Sequence, residues 1–194
     1  EKAGAVIKSE NGKLPMSFDK PLNKPIEFKS LIPSAQIKSC LLLAGLYATG
    51  DTRIFEPTPC RDHTERMLQG FGYSVSVDAK EGASAVVGGA DLQATEIDVP
   101  ADISSAAFFL VAAAITPGSD LTLHHVGVNP TRIGIINLLR DMGANIERSN
   151  ERLVGGEPVA DLRVRYKPLK GIVISEAQIP LAIDEFPVLF IAAA

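Results

Sequence analysis

The residues with the types and spacing that chemistry needs cluster where helices begin. In "PTPCRDHTERML", residues 57–68, an Arg-Asp-His-Thr-Glu run follows two prolines and precedes an amphipathic helical pattern. Upstream, Ser34-Ala35-Gln36 opens an apolar run, and Asp102-Ile103-Ser104-Ser105 and Asp184-Glu185 open two more. A helix N-terminus offers backbone N–H groups without helical partners and the positive end of the peptide dipoles, which suits a phosphate at Ser34. Ser34, Asp102 and Asp184 also suit plain N-capping. Capping does not ask for Gln36, a long amide in the first turn of an otherwise apolar helix. Arg61 stands just before a helix start, and its guanidinium is placed to reach an anion bound near Ser34. Asp62 followed by Glu65 has the spacing of a capping box. Cys60, Asp62 and His63 match no common zinc pattern. His124 and His125 lie on a strand pattern, where at least one faces solvent.

The elements that must position these residues recur. "SAQIKSCLLLAGLYATGDTRIFE" reads as helix, Gly turn and strand, and "DISSAAFFLVAAAITPGSDLTLHHV" repeats the order, with Gly50 and Gly118 at equivalent turns. A Pro-containing loop and a second helix follow each strand, predicted at 62–71 and 131–142 and closing at Gly72 and Gly143. Alternating segments come next, "YSVSV" then "SAVVGG" and "ANIER" then "DLRVRY". The repeating unit is therefore βαβαββ. A third copy is expected to begin with a strand at "GIVIS" (171–175) and a helix in "IDEFPVLFIAAA", and "GAVIKS" and "KLPMSF" read as closing strands of an earlier copy. The chain looks cut from a longer array. The first helix of each pair (34–48, 102–115, 184 onward) is apolar nearly all round and is expected to be buried on every side, with Lys38 and Ser39 as the main exceptions. The second is amphipathic, with stripes through Met67, Leu68 and Phe71 and through Ile135, Leu138, Leu139 and Met142.

Composition narrows the class. With 194 residues, 46% hydrophobic, and a net charge of -4, the chain has material for one large or two small globular domains and offers no basic surface for nucleic acid. Its longest apolar run, "AAFFLVAAAI" (106–115), is far shorter than the roughly 20 residues a membrane helix needs. Two cysteines, Cys40 and Cys60, make no disulfide framework, so the expected setting is reduced and cytoplasmic, neither membrane-bound nor targeted.

The blocks "PSAQIKSCLLLAGLYATGDTRIFEPTPCRDHTERMLQGFGY", "DISSAAFFLVAAAITPGSDLTLHHVGVNPTR" and "IDEFPVLFIAAA" resemble the corresponding blocks of the bacterial 5-enolpyruvylshikimate-3-phosphate synthase family, in order along essentially the whole chain. The resemblance implies an inside-out α/β barrel built from βαβαββ units, two domains of three units each, with the buried helices pointing their N-termini at a cleft. It implies transfer of the enolpyruvyl group of phosphoenolpyruvate to the 5-hydroxyl of shikimate 3-phosphate, with release of phosphate and with no metal or organic cofactor. Carried over residue by residue, Ser34 and the Ala35 backbone would bind the shikimate phosphate. Gln36 would lie against the ring and approach phosphoenolpyruvate, and Arg61 would help hold the shikimate phosphate. Asp184 would contact the shikimate hydroxyls and take part in proton transfer at the reacting one.

Residues 1–98 would belong to the first, phosphate-binding domain and 99–194 to the second. Position 35 is Ala where some relatives carry a second Ser, which leaves only the main-chain N–H there. The family's N-terminal Lys-Ser-Arg motif and its later Lys-Glu-Ser/Thr-Asp-Arg motif are absent, so the chain corresponds to less than half of such an enzyme and is expected to be inactive alone. A full-length enzyme is expected to be monomeric, while this chain, with apolar helix faces left open, is expected to self-associate. Two alternatives remain: a UDP-N-acetylglucosamine enolpyruvyl transferase, whose catalytic cysteine loop Cys60 does not match, and a non-catalytic phosphate-binding or assembly module.

Overall fold

Gly72 and Gly143 adopt φ of 74° and 99°, the left-handed conformation that ends a helix without a Cβ penalty, at the two places where the repeat predicts a stop. The computed structural model describes residues 5–18, 24–78 and 80–194. They fall into two units, Glu1–Thr95 and Glu96–Ala194.

The first unit opens with an antiparallel hairpin of β1 (Ile7–Glu10) and β2 (Lys13–Phe18), the pair expected as closing strands of an earlier copy. Gly4 of the predicted "GAVIKS" strand lies outside the described residues. The complete repeat follows: β3 (Glu27–Lys29), α1 (Ala35–Gly45), β4 (Asp51–Phe55), α2 (His63–Gly70), β5 (Val75–Asp78) and β6 (Ala83–Val87). The sheet order is β3-β4-β6-β5, with β3 parallel to β4 and the other pairs antiparallel. That is the topology of a β-α-β crossover followed by a returning hairpin. The core is small: Leu42, Ile54, Leu68, Tyr73, Val75 and Val86. Gly45 is required where α1 crosses β4, since a Cβ there would stand 2.7 Å from the Thr52 side chain.

The second unit repeats this plan with α3 (Ile103–Ile115), β7 (Asp120–Gly127), α4 (Gly134–Asp141), β8 (Asn145–Val154) and β9 (Glu157–Arg165), in sheet order β7-β9-β8. Its first strand shrinks to a single parallel bridge between Ala101 and Val126. Its core is larger and wholly aliphatic at the centre, with Leu110, Ile135, Ile136, Leu138, Leu139 and Leu162 among the fully buried side chains.

Four expectations need correction. Helix α4 begins at Gly134 rather than Thr131, because Asn129 Oδ1 accepts from both the Thr131 N–H (2.9 Å) and Thr131 Oγ1 (2.8 Å), forming a turn that competes with helix. The "GIVIS" segment forms no strand; it leads into 3-10 turns at Glu176–Leu181 and Ile183–Glu185 and then α5 (Phe186–Ala193). Asp184 therefore does not cap α5. Glu185 holds that position, and Pro187 sits in the first turn, where its missing N–H costs nothing. The apolar helices are not buried all round: Leu43 and Tyr47 at α1, Phe108 and Phe109 on α3, and Phe190 and Ile191 on α5 are exposed. Helices α1 and α3 pack one face on the strands of their units, while α5 packs on α3.

Candidate phosphate site at the start of the first buried helix

Ser34 caps α1. Its backbone is extended (φ -141°, ψ 106°), its side chain accepts from the Ile37 N–H at 3.4 Å, and its carbonyl takes the Lys38 N–H at 3.1 Å. Ala35 and Gln36 are the first helical residues; Ser34 and Ala35 are half-buried and Gln36 is exposed. The first backbone N–H groups of α1 therefore stand at an accessible helix end that carries no acidic residue in its first turn. Arg61, half-buried, lies in the loop between β4 and α2.

Side-chain contacts join that loop to α1. Ser39 Oγ and Thr64 Oγ1 are 2.6 Å apart, and the Lys38 ammonium contacts Glu56 Oε2 at 2.9 Å and Glu65 Oε1 at 2.8 Å. Ser84 Oγ on β6 donates to Glu65 Oε1 at 2.9 Å, and the Cys60 thiol donates to Glu56 Oε1. Side chains of Lys38, Glu56 and Glu65 are 3%, 7% and 4% exposed, so this is a buried ion cluster. Burial alone would lower the Lys38 pKa, but the bonds to Glu65 and Glu56 outweigh it and hold it above the ordinary lysine value. Burial, reinforced by the Glu56 carboxylate, pushes the Cys60 thiol up to about 12.

The cluster overturns one expectation. The capping box at the start of α2 does not form, because Glu65 turns inward to Lys38 while Asp62 accepts from Arg66 Nε at 2.9 Å. Lys38, a polar exception in an apolar helix, is among the most buried charges of the described residues. A lysine flanked by Ile37 and Cys40–Leu43 was the only sequence signal for it, and nothing local names its partners.

The second unit carries a counterpart. Arg132 precedes Gly143 by the same interval as Arg61 precedes Gly72, and Asp102 precedes Gly118 as Ser34 precedes Gly50. The arginine reaches the helix start: its Nη2 lies 3.2 Å from Asp102 Oδ1 and donates to Ser104 Oγ at 2.6 Å, and Ser104 in turn donates to the buried Glu185. Asp102 also caps α3 through the Ser105 N–H at 3.0 Å. Desolvation works to raise the Asp102 pKa, yet the Ser105 N–H and the Arg132 charge overcome it and hold the carboxyl below its usual range. Asp184 lies in this second unit, exposed in a 3-10 turn. His124 is exposed and bonds to Asp161 at 3.0 Å. Two concavities, of about 450 and 440 Å³, lie on the strand face of the first unit and beside α5; neither is lined by Ser34, Gln36, Arg61 or Asp184. Among the described residues no helix is long and apolar enough to cross a membrane.

Known proteins supply the comparison. The sequence pattern of the family described as EPSP synthase (3-phosphoshikimate 1-carboxyvinyltransferase) matches residues 1–194. A 3-phosphoshikimate 1-carboxyvinyltransferase from Alkalilimnicola ehrlichii is 60% identical over 194 residues, covering 98% of this chain and 43% of the relative. Another, from Methylococcus capsulatus, is 63% identical over 171 residues, covering 88% of this chain and 39% of its own length. A solved EPSP synthase from Acinetobacter baumannii superposes with a TM-score of 0.91 at 52% identity, covering 99% of this chain and 44% of that one. The expected α/β architecture is thus the fold of solved relatives, and the chain spans less than half the length of the curated relatives it matches.

Proposed function

This chain belongs to the EPSP synthase family, and on that premise we propose that it supplies the shikimate 3-phosphate end, and one catalytic carboxylate, of an enzyme that transfers enolpyruvyl from phosphoenolpyruvate to the 5-hydroxyl of shikimate 3-phosphate. The observation that carries the reading is the Ser34-capped start of α1 tied to the loop that bears Arg61. Ser34 Oγ and the Ala35 N–H bind phosphate oxygens at the positive end of α1, and Arg61 completes the anion site as a fixed cation. Gln36, exposed at that end, lies along the ring and faces phosphoenolpyruvate.

In the transfer, a bond forms between the 5-oxygen and the enolpyruvyl carbon that carried phosphate. The bond from that carbon to the phosphate oxygen breaks, and the hydroxyl proton must go to a base. Asp184, exposed and in a turn rather than inside a helix, is the carboxylate assigned to that proton and to the neighbouring hydroxyls. The scheme needs no metal or organic cofactor. Residues 1–98 and 99–194 contribute to different domains, and the enzyme works in the cytoplasm as a monomer, in keeping with free thiols at Cys40 and Cys60. The chain taken alone leaves Phe108, Phe109, Phe190 and Ile191 wet, at about 1.5 to 3 kcal/mol each, so it self-associates, which sedimentation at micromolar concentration will show.

Titration of a full-length protein carrying these residues tests the central reading. Shikimate 3-phosphate should bind in preference to UDP-N-acetylglucosamine. Preference for the nucleotide sugar would move the chain to the related transferase, and indifference to both would reduce it to an assembly module.

A further inference from the structure

The proposed phosphate site needs a constant spacing between two pieces of chain, the first turn of α1 and the loop 56–62, and the loop is poorly equipped to hold itself. Pro57 and Pro59 have no N–H to donate, so backbone bonding cannot fix that stretch continuously. Its start is anchored by the Glu56 N–H on the Gly82 carbonyl at 2.8 Å, and its end becomes α2.

Lys38 bridges these parts. It sits one turn along α1 from Ser34, whose carbonyl takes its N–H. Its ammonium reaches Glu56 at the loop's start and Glu65 in the first turn of α2, at 2.9 and 2.8 Å, while the Cys60 thiol, next to Arg61, closes on the same Glu56 carboxylate. The cluster joins one cation to two carboxylates, and Glu65 Oε2 is buried without a hydrogen-bond partner. A core built for stability alone would do as well with aliphatic side chains of similar volume. The second unit is apolar at this place, with the buried Ala106 and Ile136 at the positions that correspond to Lys38 and Glu65.

We infer that Lys38, Glu56 and Glu65 are positioning residues that staple the Arg61 loop to the first turn of α1 and so set the distance between Arg61 and the Ser34 end of the anion site. The inference rests on the phosphate reading above for its functional consequence, but the staple itself does not. Cys60 is the link from the cluster to Arg61, and burial together with the Glu56 carboxylate keeps its thiol protonated as a donor.

The test compares Lys38→Met and the charge-balanced variant Lys38→Met/Glu56→Gln/Glu65→Gln with the parent, all in the full-length protein. The triple variant leaves no buried unpaired charge, so it keeps a folded first unit even where the single variant does not. Two readouts are taken: amide exchange at Cys60, Arg61 and Asp62, and affinity for shikimate 3-phosphate. A positioning role predicts that the triple variant unfolds globally like the parent, yet exchanges its loop amides faster and binds shikimate 3-phosphate roughly 10- to 100-fold more weakly, the scale of losses from a displaced binding group. Affinity that returns to the parent value along with stability would overturn the positioning role, and unchanged loop exchange would overturn the staple. If the parent itself fails to bind shikimate 3-phosphate, the phosphate reading falls, while the exchange comparison still decides whether the cluster holds the loop.

Discussion

The two units use one topology and opposite interiors. Where the paired helices meet in the first unit, Lys38, Ser39, Thr64 and Glu65 contact one another; the corresponding positions in the second are Ala106, Ala107, Ile135 and Ile136, all buried and apolar. The arginines differ in the reverse sense. Arg132 is partnered by the carboxylate of Asp102 at its own helix start, whereas the matching position beside Arg61's helix pair is Ser34, an uncharged hydroxyl. In the second unit the helix start and the arginine loop are thus joined directly by an ion pair. In the first unit the helix start presents a hydroxyl and its first N–H groups, and the arginine loop is braced instead through Lys38 and Glu56, the arrangement on which the proposed anion site rests. Duplicated backbones can thus acquire different interiors and different helix-end chemistry by exchanging a few charges.

The strongest way to sharpen this contrast is through Asp184, the second-unit residue to which the proposed function gives the proton transfer. Asp184→Asn should lower turnover by about 10² to 10⁴-fold. Its exposed place in a short turn leaves the fold intact, and steady-state kinetics with a thermal melt will check both. Near-normal turnover would leave the second unit without a catalytic group.

Next in size is the buried cluster itself. Lys38→Met strands two buried carboxylates and should destabilise the first unit by about 3 to 5 kcal/mol in denaturant unfolding. Ala106→Met, at the matching place in the second unit, brings only overpacking, about 1 to 3 kcal/mol. Equal costs would erase the distinction between the two interiors.

Arg61→Ala should weaken shikimate 3-phosphate binding by roughly 2 to 4 kcal/mol and change phosphoenolpyruvate affinity much less. Arg132→Ala, the equivalent change in the other unit, should leave shikimate 3-phosphate affinity near the parent value. Calorimetric titration of both variants decides it, and a loss shared equally between the two arginines would break the comparison.

The smallest effect belongs to Asp102. Its carboxyl titrates below the ordinary range when folded, so its contribution is complete above the unfolded value near pH 4 and is lost as pH falls through the lower folded value. Because Asp102 is 48% exposed, the pair with Arg132 is worth only about 0.2 to 1 kcal/mol. Asp102→Asn, which still caps α3, should remove that part of the stability difference between pH 7 and pH 3 in urea titrations and leave the rest.

Local pattern alone carried much of this molecule. Hydrophobic period and glycine punctuation placed both copies of the repeat, because helix and strand periodicity and the left-handed stops at Gly72 and Gly143 are properties of short segments. Ser34 and Asp102 could be named as caps for the same reason: a cap bonds to a backbone group three residues away. The failures were equally local in origin. The Asp62–Glu65 spacing spelled a capping box, but Glu65 found a stronger partner in a residue 27 positions earlier, and the "GIVIS" run had strand composition but no neighbour to pair with among the described residues. Tertiary structure alone decided that Lys38 would be buried, that Cys60 would bond to Glu56, and that Arg132 would meet Asp102 while Ser104 met Glu185. Charges find partners through the faces that packing brings together, and desolvation makes those pairings worth more than any preference a short segment can express.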